Sequence, residues 1–363
     1  MSIEGNITIK INRSEQSSGG PNLVEITSNR RTDIASFLKG KSPEEAISIL
    51  PVIFNICGKA HAHAAKMACG QNHSNSFLTV LCENAREHLL RIFTGWDVDK
   101  KTDLNQIHFS EIMGLVARME TAIETDRPDI KQIARQIKEF LHTNIFHCSP
   151  QDFLELKTNE QLENWAEQTT SIAGQFIHNM YRENWQSIGS IEPDFLPDIL
   201  CEQLSEKMHQ ADAASFIAQP QWMGRCYETG SLARNNRHPL IAALAQKYGY
   251  GLLTRQIARL IELALIPTDI EHYAETPNAD NIIQGFGQVE TARGRLTHSV
   301  IINDDIITDY KILAPTEWNF HPRGALFESL QTLPISNEAD TKNMAKMIIE
   351  SIDPCVAYEV RVH

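Results

Sequence analysis

The order in which hydrophobic periodicity changes along the chain restricts its fold more than any other feature. Isoleucines on odd positions between 3 and 11 alternate with polar residues, and this alternation predicts a half-buried strand. A polar stretch rich in glycine and serine follows at 14–21, and 23–27 has the composition of a returning strand. The first 28 residues therefore predict a β-hairpin.

A long middle region, from about 43 to 273, has apolar residues at helical spacing instead. Its start is marked by Ser42 as an N-cap, Pro43 as the first helical residue and two glutamates in the first turn. Prolines at 128, 150, 193 and 239 divide the region. We expect the helices after the first one at 58–69, 76–95, 106–124, 129–145, 151–168, 170–184, 194–209 and 239–265.

After Pro277 the pattern returns to strands. Segments 299–303 and 306–314 are rich in isoleucine and valine and flank an Asn-Asp-Asp turn, and a last helix is expected at 341–351. Short β ends around a helical middle are typical of an α+β fold in which the two ends meet. We predict one domain over 1–363, with an N-terminal β region (1–41), a helical bundle (42–275) and a C-terminal β region (276–363).

Composition limits the partners of the protein. With 46 acidic and 33 basic side chains the chain carries a formal charge of −13, which argues against nucleic acid or an anionic membrane as the main partner. We also expect no membrane span and no signal peptide, since no apolar stretch has the required length. Seven cysteines are too few for a disulfide scaffold, so we expect a reduced, cytoplasmic protein.

Two of the cysteines stand at element boundaries. Cys57 precedes a predicted helix, whose N-terminus favours a thiolate, and Cys355 follows a helix and a proline. Taken alone, two cysteines so far apart in sequence are more often buried structural residues than ligands. Metal or redox chemistry is the alternative.

Six short motifs occur in a fixed order along the whole chain. They are Ile3-Glu4-Gly5; Phe37-Leu38-Lys39-Gly40 leading to Ile56-Cys57-Gly58; Gly230-Ser231-Leu232-Ala233-Arg234; Glu290-Thr291-Ala292-Arg293-Gly294 followed by His298; Ala314-Pro315-Thr316-Glu317-Trp318-Asn319 with Pro322-Arg323; and Asp353-Pro354-Cys355. Together they resemble the large subunit of nickel–iron hydrogenases. The resemblance implies a hydrogenase large-subunit-like fold.

The chain departs from this family where its chemistry is concentrated. Family members use two Cys-x-x-Cys pairs to bind nickel, and the second cysteine of each pair also bridges to an iron carrying carbon monoxide and two cyanides. Here the second positions are Ala60 and Tyr358. Other family positions are also replaced, at Ala35, Asn55, Ala64 and Arg361. We therefore expect no nickel, no hydrogen turnover and no enzyme activity.

The retained residues imply a different task. By the resemblance, Cys57 and Cys355 are metal ligands, and Arg293 and Thr316 are the residues that hold the cyanides. A guanidinium suits an anionic nitrogen in a dry pocket. Low-spin iron with three diatomic ligands needs only two or three further donors, so the resemblance implies transient binding of an Fe(CN)2CO unit. Glu4, Arg323 and Asp353 align with supporting residues of the family; alternatively, Asp353 and Arg323 pair with each other and fix the C-terminal turn.

These features are similar to those of HupK-type proteins, relatives of the large subunit that act in hydrogenase maturation. The resemblance implies a non-catalytic scaffold whose partners are maturation chaperones and the immature large subunit. Two alternatives stay open: a divergent hydrogenase-like oxidoreductase with an altered metal site, and a metal-free mimic that binds the chaperones.

A zinc site is a further alternative from the residues alone. Cys57, His61, His63 and Cys355 have suitable ligand types, but residues two apart on a helix face different ways. For Arg293 the alternative role is an internal salt bridge, and for Thr316 a hydrogen bond to backbone. We expect the remaining cysteines to be core thiols: Cys69, Cys82, Cys148, Cys201 and Cys226.

Overall fold

The chain divides into two compact units that are interleaved in sequence. The computed structural model describes residues 5–12, 21–71, 76–96, 103–125, 127–276, 283–334 and 336–363. The first unit is Met1–His73 with Ile188–Ala233 and Asp280–His363, and the second is Ser74–Ser187 with Arg234–Ala279. The first unit therefore contains both chain ends and all the motifs except Arg234. A single domain over 1–363 stays a prediction.

The strands all lie in the first unit. They are β1 (Asn6–Asn12), β2 (Leu23–Ser28), β3 (Phe286–Thr291), β4 (Gly294–Asn303), β5 (Ile306–Leu313) and β6 (Ala357–Val362). One sheet has the order β2-β1-β6, with β1 antiparallel to β2 and parallel to β6. The antiparallel pair confirms the predicted hairpin, and Ile7, Ile9 and Ile11 are buried on one face of it.

The pairing of β1 with β6 joins the two ends of the chain. Ile7 lies opposite Tyr358, so the segment after Cys355 is held beside the first strand. This confirms that the two β ends meet. The strand β6 was not predicted, because in 357–362 only Val360 and Val362 are buried and the pattern is too short to stand out.

The second sheet is an antiparallel meander, β3-β4-β5. Its β4–β5 turn contains Asp304 and Asp305 at φ 49° and 59°, which confirms the predicted strand–turn–strand. The strand β4 begins at Gly294, earlier than predicted, and β3 was missed. Residues 296–300 of β4 are all buried, so the alternation that marks a half-buried strand is absent there, and β3 is short, with Phe286 and Val289 as its large apolar residues.

The helices account for most of the fold and confirm an α+β class. They are α1 (Pro43–Ile53), α2 (Gly58–Ala68), α3 (Ser76–Gly95), α4 (Asp103–Glu124), α5 (Ile130–Phe140), α6 (Pro150–Leu154), α7 (Asn159–Gln168), α8 (Ile172–Arg182), α9 (Cys201–His209), α10 (Ala213–Ala218), α11 (Ser231–Asn235), α12 (Pro239–Tyr248), α13 (Leu252–Glu275), α14 (Pro315–Asn319), α15 (Ala325–Gln331) and α16 (Glu338–Ile352). The Ser42 capping box at α1 forms as its residues predict. No helix in the described ranges is both long and apolar enough to cross a membrane.

Four predicted helices were wrong in extent. Segment 151–168 is two helices, because Thr158 forms its own capping box and starts α7. Segment 239–265 is broken at Gly249, which adopts φ 72°, and the second part then runs on to Glu275. Segment 194–209 becomes helical only at Cys201, since Phe195 bridges to Glu228 in extended form. The predicted 129–145 helix ends at Phe140 and continues as a π-helical turn, Leu141–Phe146.

Helix α2 lies directly against strand β3. A Cβ built on Gly287 would overlap the carbonyl oxygen of Ala64, so only glycine allows this approach. The contact fixes α2, whose N-terminal end carries Cys57, beside the sheet whose β3–β4 turn carries Arg293.

Candidate functional site

The first unit brings Cys57 and Cys355 to the same cavity. Cys57 ends a single 3-10 turn, Asn55–Cys57, and is the N-cap residue of α2, as predicted. Cys355 follows α16 and Pro354 and lies two residues before the start of β6. The β1–β6 pairing therefore holds the C-terminal cysteine in place, while the α1–α2 connection holds the N-terminal one.

The cavity is small and mostly enclosed by side chains of the first unit. Its volume is about 20 Å³, which is close to the volume that one water molecule requires. Its lining residues are Arg30, Phe54, Ile56, Cys57, His61, Thr291, Arg293, Leu296, Ala314, Pro315 and Cys355. Two thiols, two guanidinium groups and one imidazole thus share a largely apolar wall.

Arg30 is a site residue that none of the motifs contains. Its Nη1 donates a hydrogen bond to Cys355 Sγ at 3.0 Å, and its Nε donates to Glu317 Oε1 at 2.7 Å. Burial acts to lower the pKa of Arg30, but its electrostatic interactions and hydrogen bonds with Cys355 and Glu317 outweigh burial and raise that pKa. Gly5, in the first motif, explains the position: a Cβ there would lie 2.8 Å from Arg30 Cα, at φ 75°.

Thr316 also contacts Cys355. Its hydroxyl lies 3.0 Å from Cys355 Sγ, and its side chain is buried in the short helix α14. The alternative of a hydroxyl bonded to backbone in a strand is therefore wrong for Thr316. Cys355 thus has a cationic donor on one side and a hydroxyl on the other.

Arg293 forms a buried ion pair with Asp353. Its Nε lies 3.6 Å from Asp353 Oδ1, and the two side chains are 4% and 3% exposed. Asp353 ends α16 in the left-handed region, at φ 67°, with its N–H donating to Ile349 O. The Nδ2 of Asn319 donates to the carbonyl of Arg293 at 3.0 Å, which fixes the β3–β4 turn. The salt-bridge alternative for Arg293 is thus present, alongside its position on the cavity wall.

Among the described residues, Arg323 and Asp353 do not line the cavity. Arg323 is exposed and lies beside His321, so the predicted pairing of Asp353 with Arg323 is wrong. Glu4 lies outside the described residues. Ala60 is buried in α2, and the hydroxyl of Tyr358 donates to Glu350 at 3.0 Å.

The zinc alternative has no support among the residues described. His63 is buried but does not line the cavity, and no three His, Cys, Asp or Glu side chains in the described part of the chain are arranged to hold a metal ion. None of the seven cysteines, all of which lie in the described residues, forms a disulfide. Of the five predicted core thiols only Cys82 is fully buried; the other four are partly exposed.

A chain of buried rings runs from the cavity into the second sheet. His61 stacks on Phe54 with ring centres 4.0 Å apart, and its Nδ1 lies 2.9 Å from His298 Nε2. His298 Nδ1 in turn lies 2.8 Å from the hydroxyl of Tyr310. Burial lowers the pKa of His298 to about 3 and that of His61 well below its usual value, so both imidazoles are neutral.

The sequence matches the family that its motifs resemble. A model of the nickel-dependent hydrogenase family matches residues 135–361, more than half of the chain. The chain belongs to the nickel-dependent hydrogenase family. The matched residues include the motifs around Arg293, Thr316 and Cys355.

Relatives that match along the whole chain carry names from hydrogenase formation. The hydrogenase expression/formation protein HoxV of Cupriavidus necator is 27% identical, covering 94% of this chain and 93% of that protein. HupK of Bradyrhizobium diazoefficiens is 26% identical, with 93% and 92% covered. An uptake hydrogenase large subunit of Rhizobium leguminosarum is 37% identical, but over only 43% of this chain and 33% of that protein.

Solved structures confirm the fold expected from the motifs. The nickel–iron–selenium hydrogenase of Desulfovibrio vulgaris Hildenborough superposes with a TM-score of 0.57 at 17% identity, covering 93% of this chain and 94% of that one. The enzyme of Desulfomicrobium baculatum gives 0.54 at 16% identity. The chain therefore has a hydrogenase large-subunit-like fold.

Proposed function

We propose that the protein is a non-catalytic scaffold in nickel–iron hydrogenase maturation, which holds an Fe(CN)2CO unit before its transfer to the large subunit. The observation that carries this proposal is the shared cavity of Cys57 and Cys355, two thiols from opposite ends of the chain. Soft thiolate sulfur is a suitable donor for iron of this kind. Each thiol would give up its proton when it binds the metal.

The charges around the cavity favour an occupant with anionic ligands. Arg30 and Arg293 both line the wall, and guanidinium groups in a dry pocket form strong hydrogen bonds to anions. Thr316 adds a hydroxyl next to Cys355. Two cyanides would meet donors here, whereas carbon monoxide would need only the apolar part of the wall.

A loading step follows from the size of the cavity. Its free volume is close to that of one water molecule, and Arg30 occupies the space beside Cys355. An iron unit therefore requires Arg30 to exchange its hydrogen bond with Cys355 for one with the incoming ligands. The family residues at the positions of Cys57 and Cys355 are terminal ligands of nickel and do not bind iron. An iron unit bound by these two cysteines would therefore lie closer to them than the iron of the family does.

The replaced cysteines argue against catalysis. Nickel would lose two of its four thiolates at Ala60 and Tyr358, and iron would lose both bridging sulfurs. Of the relatives described above, those covering more than 90% of the chain are called formation proteins, and the catalytic subunit matches less than half. We accordingly propose a role without hydrogen turnover.

We further propose that the protein acts in the cytoplasm with maturation chaperones and the immature large subunit. Seven free cysteines suit a reducing compartment, and the charge of −13 suits protein rather than polyanionic partners. The helical second unit provides surface for such partners.

Infrared spectroscopy tests the proposal directly. The protein is purified without oxygen from cells that express the maturation machinery, and spectra are recorded where metal carbonyl and cyanide stretches absorb, with iron and nickel measured alongside. We expect carbonyl and cyanide bands and bound iron, both lost in Cys57→Ala and in Cys355→Ala.

Cys148→Ala is the matched control, since Cys148 is also a partly exposed thiol but does not line the cavity. It should keep the bands. A protein without bands and without iron would support the metal-free mimic instead. Stoichiometric nickel with hydrogen turnover would support the divergent oxidoreductase and overturn the scaffold.

A further inference from the structure

His61 is a cavity residue to which the family motifs give no role. Its side chain is only 2% exposed and lines the cavity, and the stacked Phe54 ring fixes its plane. Its Nδ1 is engaged by His298, while its Nε2 has no hydrogen-bond partner among the described residues. A buried imidazole on the cavity wall therefore has one ring nitrogen that the described contacts do not use.

The far end of the ring chain decides which nitrogen of His61 carries the proton. Tyr310 is 1% exposed, and burial raises the pKa of its hydroxyl well above the usual value, so the O–H proton is retained. Its hydrogen-bond partner in the described part of the chain is His298 Nδ1. Because a buried hydroxyl without an acceptor costs about 1–3 kcal/mol, Tyr310 donates to that nitrogen.

The tautomers then follow one from another. With Nδ1 accepting, neutral His298 carries its proton on Nε2 and donates it to His61 Nδ1. Neutral His61 in turn carries its proton on Nε2. The assignment comes from the hydrogen-bond network. The hydrogen bond from Tyr310 to His298 thus determines that His61 Nε2 carries its proton and is a donor at the cavity wall.

We propose that His61 Nε2–H donates a hydrogen bond to the nitrogen of one cyanide of the iron unit, while Arg293 serves the other. His298 and Tyr310 are positioning residues that keep His61 in the donor tautomer. The inference rests on the proposed function and specifies its ligand contacts. A neutral donor beside two guanidinium groups adds recognition without adding a third positive charge to the pocket.

The infrared bands of the loaded protein test the contact. His61→Phe keeps an aromatic ring to stack on Phe54 but removes the donor. We expect carbonyl and cyanide bands to persist, with one cyanide stretch moving to lower wavenumber because its nitrogen loses a hydrogen bond. His61→Gln, which can donate from its amide, should restore the position in part, and Tyr310→Phe should produce a smaller shift than His61→Phe.

His63→Phe is the control, since His63 is buried two residues further along α2 and does not line the cavity. Its cyanide bands should match those of the unmodified protein. Unchanged bands in His61→Phe would overturn the inference while leaving the scaffold function intact. No bands in the unmodified protein would overturn the proposed function and the cyanide contact with it.

A measurement without cargo tests the tautomer by itself. In the unloaded protein labelled with ¹⁵N-histidine, the signals that vanish in His61→Phe belong to His61. We expect its Nε2 to carry the proton and its Nδ1 to be unprotonated. The opposite pattern would overturn the inference whether or not iron binds.

Discussion

Arg30 connects three groups that are distant in sequence. Its guanidinium bridges Glu317 and Cys355, and the side chains of Arg30 and Glu317 are 13% and 7% exposed. A buried charge that loses its partner is costly, because the desolvation of the remaining charge is no longer compensated. The pair therefore holds the cavity wall together.

Replacing Arg30 should destabilise the protein. Arg30→Met leaves Glu317 without its cation, and we expect the free energy of unfolding to fall by about 3 kcal/mol. Urea denaturation followed by circular dichroism measures this loss. Arg31→Met is the control: that side chain is 69% exposed and its ion pair in the described part of the chain is with Asp33, so its replacement should leave the free energy of unfolding nearly unchanged. Equal losses in the two variants would contradict the structural role of Arg30.

Among the elements, α2 and β3 are the pair on which the site depends most. Cys57 and His61 both lie on α2 or at its N-cap, and the β3–β4 turn carries Arg293. The close approach at Gly287 and Ala64 sets the distance between these elements. A change in that spacing should move the two thiols and the guanidinium relative to one another.

Gly287→Ala tests this packing. The added methyl group would overlap backbone rather than a flexible side chain, so we expect a loss of about 2–3 kcal/mol in the free energy of unfolding. Gly114→Ala is the control, since Gly114 is exposed in α4 with open space around it, and alanine there should be neutral or stabilise by about 0.5–1 kcal/mol. Thermal denaturation of both variants gives the comparison. A Gly287→Ala protein as stable as Gly114→Ala would show that α2 is not held in this way.

For the whole molecule, each of the two units contains a buried ion pair, such as Arg30–Glu317 in the first and Arg234–Glu262 in the second. In the second unit Glu262 accepts from Arg234 at 2.6 Å and lies 3.3 Å from His88. Burial acts to raise the pKa of Glu262, but Arg234 and His88 outweigh it and lower it to about 2. The arginine of the Gly-Ser-Leu-Ala-Arg motif thus serves the helical core rather than the cavity.

This buried carboxylate predicts acid sensitivity. Its pKa falls from 4.5 in the unfolded chain to about 2 in the folded protein, so its stabilisation is complete above pH 4.5 and is lost as the pH falls through about 2. The difference corresponds to roughly 3 kcal/mol. Urea denaturation between about pH 6 and pH 2 should give a weaker pH dependence for Glu262→Gln than for the unmodified protein. Glu271→Gln, on the same helix but only weakly paired with Arg135 at 3.8 Å, should keep the original dependence.

Local patterns predicted the elements where one face is buried or a cap is strong. The isoleucines of β1, the Ser42 cap of α1 and the Asp-Asp turn of β4–β5 all form as expected. Prediction failed where a segment is buried on both faces, as in the first half of β4, or where one residue breaks a long helical pattern, as Gly249 does. Hydrophobic periodicity arises from the difference between the buried and the exposed face of a helix or strand. Where both faces are buried, the sequence shows no such period.

The sequence by itself determined the fold class, the family and the two cysteine positions that are lost, because these depend on patterns and motifs local in the chain. Only the tertiary structure decided that Arg30 contacts Cys355, that Asp353 pairs with Arg293 rather than Arg323, and that His61 is joined to Tyr310 through His298. Each of these contacts joins residues far apart in sequence. Their partners are fixed by β1–β6 pairing and by α2 packing on β3, which no local pattern encodes.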